Sequence, residues 1–235
     1  MTDTKDWLLT SWNAGMDMLR NPAAAWAGAS RTPLMVPIRS LGPAHRERIA
    51  EHLLELAPAD RYLRFGYAAS DAQVRRYAEQ LDFERDEIFG IYNRSLRLIA
   101  MAHLAYTPSE EHRECAEFGV SVLEHARGRG YGARLFERAA MHARNAGVRM
   151  LFIHALSENT PMLNIARSAG ARVRRDGPES EAFLELAPAR FDTHMTEAVE
   201  QQFAEIDYSL KHQAHQFWQF LRGLQALRTQ PPPEP

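Results

Sequence analysis

This sequence has little cysteine, almost no net charge and no long apolar run. Cys115 is the only cysteine among 235 residues, so no intrachain disulfide can form, as is usual in a reducing cytoplasm. The formal net charge is −2, which leaves no basic excess for neutralising a nucleic-acid backbone. No apolar run approaches the roughly 20 residues that cross a bilayer, and the first residues lack the pattern of a signal peptide. We therefore expect a cytoplasmic protein that binds neither nucleic acid nor a membrane.

Length and composition are those of an ordinary globular chain. Hydrophobic residues make up 45% and charged residues 25% of the sequence, close to the averages of soluble domains. At roughly 100–200 residues per domain, the length allows one large domain with appendages or two small domains. A chain of this size can bury an ample core without disulfides.

The N-terminal part has the pattern of an amphipathic helix between residues 5 and 20. Its apolar positions at helical spacing are Trp7, Leu8, Trp12, Met16 and Leu19. A stretch of small residues from Pro22 to Thr32 follows. Residues 1–33 are therefore predicted to be a helix and a linker that precede the main domain.

A second helical pattern follows Pro188. Its apolar residues recur every three or four positions, at Val199, Phe203, Ile206, Leu210, Ala214, Phe217, Leu221 and Leu224. A continuous helix within residues 188–229 would be roughly 55 Å long, so we expect it to pair with a second copy or with the N-terminal helix, and a homo-oligomer is predicted. His212 and His215 have metal-ligand spacing, but no third ligand is nearby, and no metal is expected. The Pro-rich residues 230–235 are predicted to be a disordered tail.

Residues 34–187 alternate between strand-like and helix-like segments, which predicts an α/β domain. The predicted elements are a strand over 34–39, helices over 43–56 and 71–81, a hairpin over 87–92 and 98–106, a strand over 116–123, a helix ending near 146, a strand over 148–156, a helix over 161–168 and a strand over 183–186. Ser70 is suited to cap the second of these helices. Pro58 is expected to end the first.

The most informative segment is a glycine-rich turn, Arg127–Ala133, between a strand and a helix. Glycines at a helix start let backbone N–H groups face a phosphate or pyrophosphate. A P-loop is excluded because no Gly-Lys-Ser or Gly-Lys-Thr follows. A dinucleotide-binding turn fits Gly128, Gly130 and Ala133, but the next strand lacks the acid that binds the ribose, and a hairpin precedes the turn. A glycine-rich helix start without a ligand is a further alternative.

Arg127, Gly130 and Gly132 fit an Arg/Gln-x-x-Gly-x-Gly/Ala motif. With this motif and the order of elements around it, the chain from Leu34 to Leu186 resembles the GCN5-related N-acetyltransferase (GNAT) family. The resemblance implies a mixed, mostly antiparallel sheet flanked by helices, acetyl-CoA as co-substrate and acetyl transfer to an amine. It also implies a set of acetyl-CoA-binding residues: Val120, Val122, Arg127, Gly128, Arg129, Gly130, Tyr131, Gly132, Ala133 and Asn159.

A narrower resemblance involves the segments Leu56–Phe65 and Ala116–Val122, which look like the acetyltransferase domain of bacterial Pat-type protein-lysine acetyltransferases. It implies that Glu117 is the general base and that the acceptor is a protein lysine. Strand alternation independently places Glu117 on one face with Gly119 and Ser121, where small neighbours leave room for a substrate. A carboxylate that merely faces water at a sheet edge is the alternative for Glu117.

Ala166 stands where many relatives have a tyrosine that protonates the departing thiolate. This departure supports an alternative function, a non-catalytic acyl-CoA-binding sensor or scaffold with the same fold. His103 and His154 are candidate auxiliary bases, although a histidine on a strand is more often packed. Arg61 and Arg64 are candidates either for lining the acceptor entrance or for purely structural roles.

Overall fold

A computed structural model of the chain describes residues 36–107 and 114–228. The predicted N-terminal helix and linker, residues 34 and 35 of the first predicted strand and the predicted Pro-rich tail lie outside the described residues. Within them, one sheet and a set of flanking helices form a continuous buried core.

The sheet has seven strands in the order β1-β2-β3-β4-β5-β7-β6. The strands are β1 (Arg39–Ser40), β2 (Glu87–Tyr92), β3 (Leu98–Tyr106), β4 (Cys115–Val122), β5 (Met150–Leu156), β6 (Arg172–Asp176) and β7 (Glu179–Glu185). Neighbours are antiparallel except β4 and β5, which are parallel. This confirms the expected mixed, mostly antiparallel sheet. The first strand is shorter than predicted, and β6 was not predicted because its sequence, Arg-Val-Arg-Arg-Asp, is almost wholly polar and exposed.

Six α-helices accompany the sheet in the described residues. They are α1 (Arg46–Glu55), α2 (Pro58–Phe65), α3 (Asp71–Glu79), α4 (Tyr131–Asn145), α5 (Thr160–Ser168) and α6 (Phe191–Arg228). Ser70 caps α3 reciprocally with Gln73: the Ser70 hydroxyl accepts from the Gln73 N–H at 3.3 Å, and the Gln73 side-chain oxygen accepts from the Ser70 N–H at 2.9 Å. Pro58 does follow the end of α1, but it also begins α2, since a proline at the first helical position loses no hydrogen bond.

The pairing of β4 with β5 ends early. Three pairs join the strands, from Cys115↔Met150 to Glu117↔Phe152. Beyond Glu117, β4 continues beside β3 as far as Val122, whereas β5 continues beside β7. Within the described sheet, residues 118–122 therefore have no strand partner on the β5 side, and a slot opens there.

Successive side chains of β4 face opposite layers. Phe118 packs edge-on against Phe136 of α4, with ring centroids 5.0 Å apart. Gly119 lies beneath the side chain of Arg64 in α2. The helices thus cover both faces of the central sheet, and the slot lies between α2 on one side and α4 on the other.

The long C-terminal helix predicted from the sequence is present as α6, whose 38 residues extend about 57 Å. Its inner face is joined to the domain by charged groups. Glu197 accepts hydrogen bonds from Arg138 at 2.7 Å, from His142 at 2.5 Å and from Asn145 at 2.6 Å. Its outer face carries exposed apolar side chains, at Met195, Val199, Phe203, Ile206 and Leu210.

Two kinds of structural feature are absent from the part of the chain that the structure describes. In residues 36–107 and 114–228, no helix combines the length and the apolar character that a membrane crossing requires. In the same ranges, no three His, Cys, Asp or Glu side chains are arranged to hold a metal ion.

Replacement of Glu197 by Gln is expected to destabilise the fold in a pH-dependent way. Burial alone would raise the pKa of Glu197, but the hydrogen bonds from His142, Asn145 and Arg138 outweigh it and lower the pKa to about 2. The stabilisation is therefore complete above the unfolded pKa near 4.5 and is lost as the pH falls toward 2. We expect Glu197→Gln to lower the free energy of unfolding by about 2 kcal/mol at pH 7.

Urea unfolding at several pH values measures this difference. The gap between wild type and Glu197→Gln should narrow between pH 5 and pH 3.5, and a constant gap would contradict the role of the ionised carboxylate. Glu200→Gln is the matched control on the same helix. Because burial raises the pKa of Glu200, its replacement should cost little at pH 7.

Candidate active site

A cavity of about 530 Å³ occupies the slot between β4 and β5. Its walls come from α2, β4, the glycine-rich turn, the start of α4, the end of β5 and α5. Of the eleven site residues expected from the sequence, ten line this one cavity, and the exception is Arg129. The lining residues among them are Glu117, Val120, Val122, Arg127, Gly128, Gly130, Tyr131, Gly132, Ala133 and Asn159.

The glycine-rich turn opens α4 toward the cavity. Gly128 and Gly130 both have φ of +75°, a left-handed conformation that other residues adopt only with strain. Gly130 is the N-cap of α4, and no acidic residue lies in the first helical turn. Free N–H groups and the positive end of the helix dipole therefore meet at the cavity, which makes this end of it suited to an anion.

Arg127 adds a cation to the same end of the cavity. Its Nη2 lies 2.6 Å from Oδ2 of Asp60 in α2, and its Nε donates to the carbonyl of Val122 at 3.3 Å. No sequence motif points to Asp60 as a site residue, because its position depends on α2, a helix that the pattern does not predict. Arg129 is exposed and is not among the residues that line the cavity.

The separated part of β4 supplies unpaired backbone groups. Between Phe118 and Val122 the strand is bonded to β3 on one edge and borders the cavity on the other. An extended chain with amide groups can pair with such an edge as an additional strand does. Asn159 lies across the slot, where its side chain caps α5 by accepting from the Met162 N–H at 3.2 Å.

Glu117 stands where β4 and β5 separate. Its side chain is 56% exposed, and its Oε1 lies 3.3 Å from Nδ1 of His154 on β5. The other ring nitrogen of His154 lies 3.6 Å from Glu181 on β7. The carboxylate of Glu117 therefore faces both the cavity and solvent, with an imidazole beside it, and it can accept a proton from a bound amine.

A partly buried chain of hydrogen bonds holds Arg64 above β4. Arg64 Nη2 donates to the Tyr77 hydroxyl at 2.8 Å, which lies 2.7 Å from Nδ1 of His103. The Nε2 of His103 lies 3.1 Å from Oδ2 of buried Asp86. Burial would raise the pKa of Asp86, but hydrogen bonds from His103, Arg85 and a backbone N–H lower it to about 2. His103, a candidate auxiliary base, is thus a member of this chain and not of the cavity wall.

Ser121 and His52 form a second polar pair at the cavity. The Ser121 hydroxyl lies 2.8 Å from Nε2 of His52, whose Nδ1 lies 2.9 Å from the carbonyl of Leu98. Burial lowers the pKa of His52 to about 4, so the ring is neutral at pH 7. The carbonyl of Leu98 requires a hydrogen on Nδ1, so Nε2 accepts from Ser121. No carboxylate orients this histidine, and the pair anchors β4 to α1.

Ala166, the residue at the position of the missing tyrosine, is fully buried in α5 and is not part of the cavity wall. Met162 and Ile165 of the same helix do line the cavity. Ile165 lies close enough to the turn that a Cβ on Gly132 would stand 3.1 Å from its Cδ1. A side chain at Gly132 would therefore push Ile165 by a few tenths of an ångström.

Solved structures share this fold at low sequence identity. The GNAT domain of S. lividans PAT is 22% identical, with a TM-score of 0.55, over 63% of this chain and 89% of that chain. An acetyltransferase of the GNAT family from Streptococcus pneumoniae is 11% identical, with a TM-score of 0.52, over 64% and 98%. The protein yncA from Salmonella typhimurium, whose structure includes its cofactor acetyl-CoA, is 16% identical, with a TM-score of 0.51, over 65% and 95%.

Among curated proteins, no sequence matches this chain. Residues 48–171, more than half of the chain, match the acetyltransferase (GNAT) family. The matched region runs from α1 through the glycine-rich turn to just beyond the end of α5, and so contains every residue that lines the cavity. The chain therefore belongs to the acetyltransferase (GNAT) family, whose members use acetyl-CoA as co-substrate.

Proposed function

We propose that the protein transfers an acetyl group from acetyl-CoA directly to an amine, with Glu117 as the general base. The observation that carries this proposal is the convergence of three features in one cavity. These features are the anion-binding start of α4, the unpaired edge of β4 and the carboxylate of Glu117. Together they offer places for a pyrophosphate, an amide-containing arm and an amine, in that order along the slot.

The chemistry follows from the charge state of the acceptor. An alkyl ammonium such as that of lysine has a pKa of about 10.4, so at pH 7 it must lose a proton before it attacks a thioester. Glu117 takes that proton and passes it to solvent, and the amine nitrogen bonds to the carbonyl carbon. The nitrogen then loses a second proton to water as the carbon–sulfur bond breaks. N–H groups of β4 between Val120 and Val122 are suited to stabilise the oxyanion. Because Ala166 offers no hydroxyl, the thiolate takes its proton from water.

The narrower resemblance to Pat-type enzymes supports a protein lysine as the acceptor, and the scarcity of cysteine supports a cytoplasmic location. The alternative function, an acyl-CoA sensor without catalysis, is supported only by Ala166. Calorimetry with acetyl-CoA and a thiol-release assay over a panel of amines separate the two. Binding with thiol release supports the enzyme, whereas binding without release over the whole panel supports the sensor.

The replacement Glu117→Gln tests the base. Loss of a general base is expected to lower kcat roughly 10²–10⁴-fold, while the Kd of acetyl-CoA stays unchanged because the carboxylate lies away from the start of α4. Thiol release gives kcat and calorimetry gives Kd. Glu114→Gln, an exposed glutamate just before β4 that pairs with Arg149, serves as the control. An unchanged kcat in Glu117→Gln would show that the base is another group.

Arg127→Met and Arg129→Met test the pyrophosphate end. Of these two arginines, only Arg127 lines the cavity. A partly exposed charge-assisted contact of this kind is worth about tenfold in affinity. We expect a Kd for acetyl-CoA about ten times higher in Arg127→Met and a change below about twofold in Arg129→Met. Equal weakening in both variants would contradict the placement of the pyrophosphate beside Arg127.

We also propose that α6 pairs with α6 of a second copy. The proposal is supported by the exposed apolar residues along its outer face, which recur every three or four positions as in helix pairs. In full-length protein, the double replacement Val199→Glu and Ile206→Glu is expected to reduce the mass measured by light scattering from two chains to one. Gln202→Glu, an exposed polar position between them, is the control. A wild-type mass of one chain would refute the pairing.

A further inference from the structure

Arg64 is a cation in the cavity wall that lacks a carboxylate partner. Two neighbouring arginines are paired: Arg61 lies 2.6 Å from Asp71, and Arg127 lies 2.6 Å from Asp60. Within residues 36–107 and 114–228, Arg64 has no acidic group at ion-pair distance, and its only hydrogen-bond acceptor is the Tyr77 hydroxyl. In the same ranges, the Nε of Arg64 is shielded from solvent and has no hydrogen-bond partner.

The position of this cation is maintained by the molecule itself. The chain of hydrogen bonds from Arg64 through Tyr77 and His103 ends on the carboxylate of buried Asp86. The guanidinium also lies 5.4 Å from the ring of Phe65 and 5.5 Å from the ring of Tyr77. A charged group fixed in this way loses little conformational freedom when a ligand binds. Arg64 therefore has the properties of a binding group more than those of a surface cation.

Gly119 allows the guanidinium to lie directly on β4. A Cβ at this position would stand 3.0 Å from Cζ of Arg64 and 3.0 Å from its Nη2, so any side chain would displace the cation. Gly119 is two residues from Glu117, on the same strand face, which is a separation of about 7 Å. It is three residues from Val122, about 10 Å from the strand end that leads to the pyrophosphate turn. The cation accordingly belongs to the reacting end of the cavity.

We propose that Arg64 binds a carboxylate of the acceptor, so that the acceptor is a free amino acid or a similar small amine with a carboxylate a few bonds from its amino group. This inference rests on the proposed function and specifies its substrate class. Such a zwitterion places its ammonium beside Glu117 and its carboxylate on Arg64, each opposite a group of the other sign. A lysine side chain within a protein carries no carboxylate of its own near its ammonium, so the arrangement favours the small acceptor over it.

Matched pairs of acceptors test the assignment. Each pair consists of an amino acid and its primary amide, assayed by thiol release from acetyl-CoA, with a lysine-containing peptide as a further acceptor. The wild-type protein should prefer the carboxylate in kcat/KM by tenfold or more. Arg64→Met should lower kcat/KM for the carboxylate member roughly 10–100-fold and for the amide less than about threefold. Arg64→Lys should keep part of the preference, and Arg75→Met on the exposed side of α3 should keep all of it.

Two further measurements distinguish loss of carboxylate binding from misfolding or from loss of acetyl-CoA binding. Calorimetry should give the same Kd for acetyl-CoA in wild type and Arg64→Met, which shows that the fold and the cofactor site are intact. Tyr77→Phe removes only the hydroxyl that holds Arg64 and should weaken the carboxylate preference through KM more than through kcat. It provides the test if Arg64→Met does not fold.

The outcomes that overturn the assignment are distinct from failure of the proposed function. Turnover without a carboxylate preference, an equal preference in Arg64→Met, or faster reaction of the lysine peptide than of any amino acid refutes it. If Arg64→Met instead loses use of succinyl-CoA relative to acetyl-CoA, the carboxylate belongs to the acyl group and the acceptor assignment is wrong. Absence of thiol release with every amine refutes the proposed function and this assignment together.

Discussion

The hydrogen bonds between β4 and β5 extend as far as Glu117 and Phe152 and then stop, because the strands move apart to different neighbours. Backbone polar groups at such a point must find other partners or remain hydrated. The separation creates the slot, exposes the edge of β4 and leaves Glu117 at the point of divergence. Each other part of the site is arranged around this interruption of an otherwise regular sheet.

Charge in the site is arranged along the slot. The start of α4 makes one end positive, Glu117 makes the other end negative, and Arg64 lies above Gly119, two residues along β4 from Glu117. Asp60 balances Arg127 in the structure, so this cation is held in a defined place at the proposed pyrophosphate end. A nearly neutral chain can therefore bind a highly anionic cofactor, because its cations are concentrated where backbone dipoles add to them.

Local signals account for the parts of the fold that could be predicted. The hairpin has the predicted bounds because Asn93 and its neighbours form a turn between the two strands. The start of α3 could be predicted because the capping box at Ser70 is a local motif. β6 could not be predicted, because its exposed arginines give no apolar alternation. The strand forms through its pairing with β7. The sequence predicts Pro58 only as the end of α1, whereas in the structure it also begins α2, and both positions fit the chemistry of proline.

The same distinction applies to the site. The glycine-rich turn is visible in sequence because positive φ angles require glycine, and strand alternation placed Glu117 on one face with Gly119. The contacts of Arg64 could not be foreseen, since they join α2, α3, β3 and the segment before β2 across the tertiary structure. Asp60 was missed for the same reason. What sequence cannot provide here is the set of partners that a helix acquires only when it packs.

The attachment of α6 limits where this chain can be shortened without loss of the fold. Arg138 is almost completely buried, and its carboxylate partners Glu197 and Glu200 both come from α6. A shortened chain that ends before this helix would leave a guanidinium in the core region without a counter-charge, which is among the costlier changes a fold can undergo. The C-terminal helix is therefore part of the folding unit, even though none of its described residues lines the cavity.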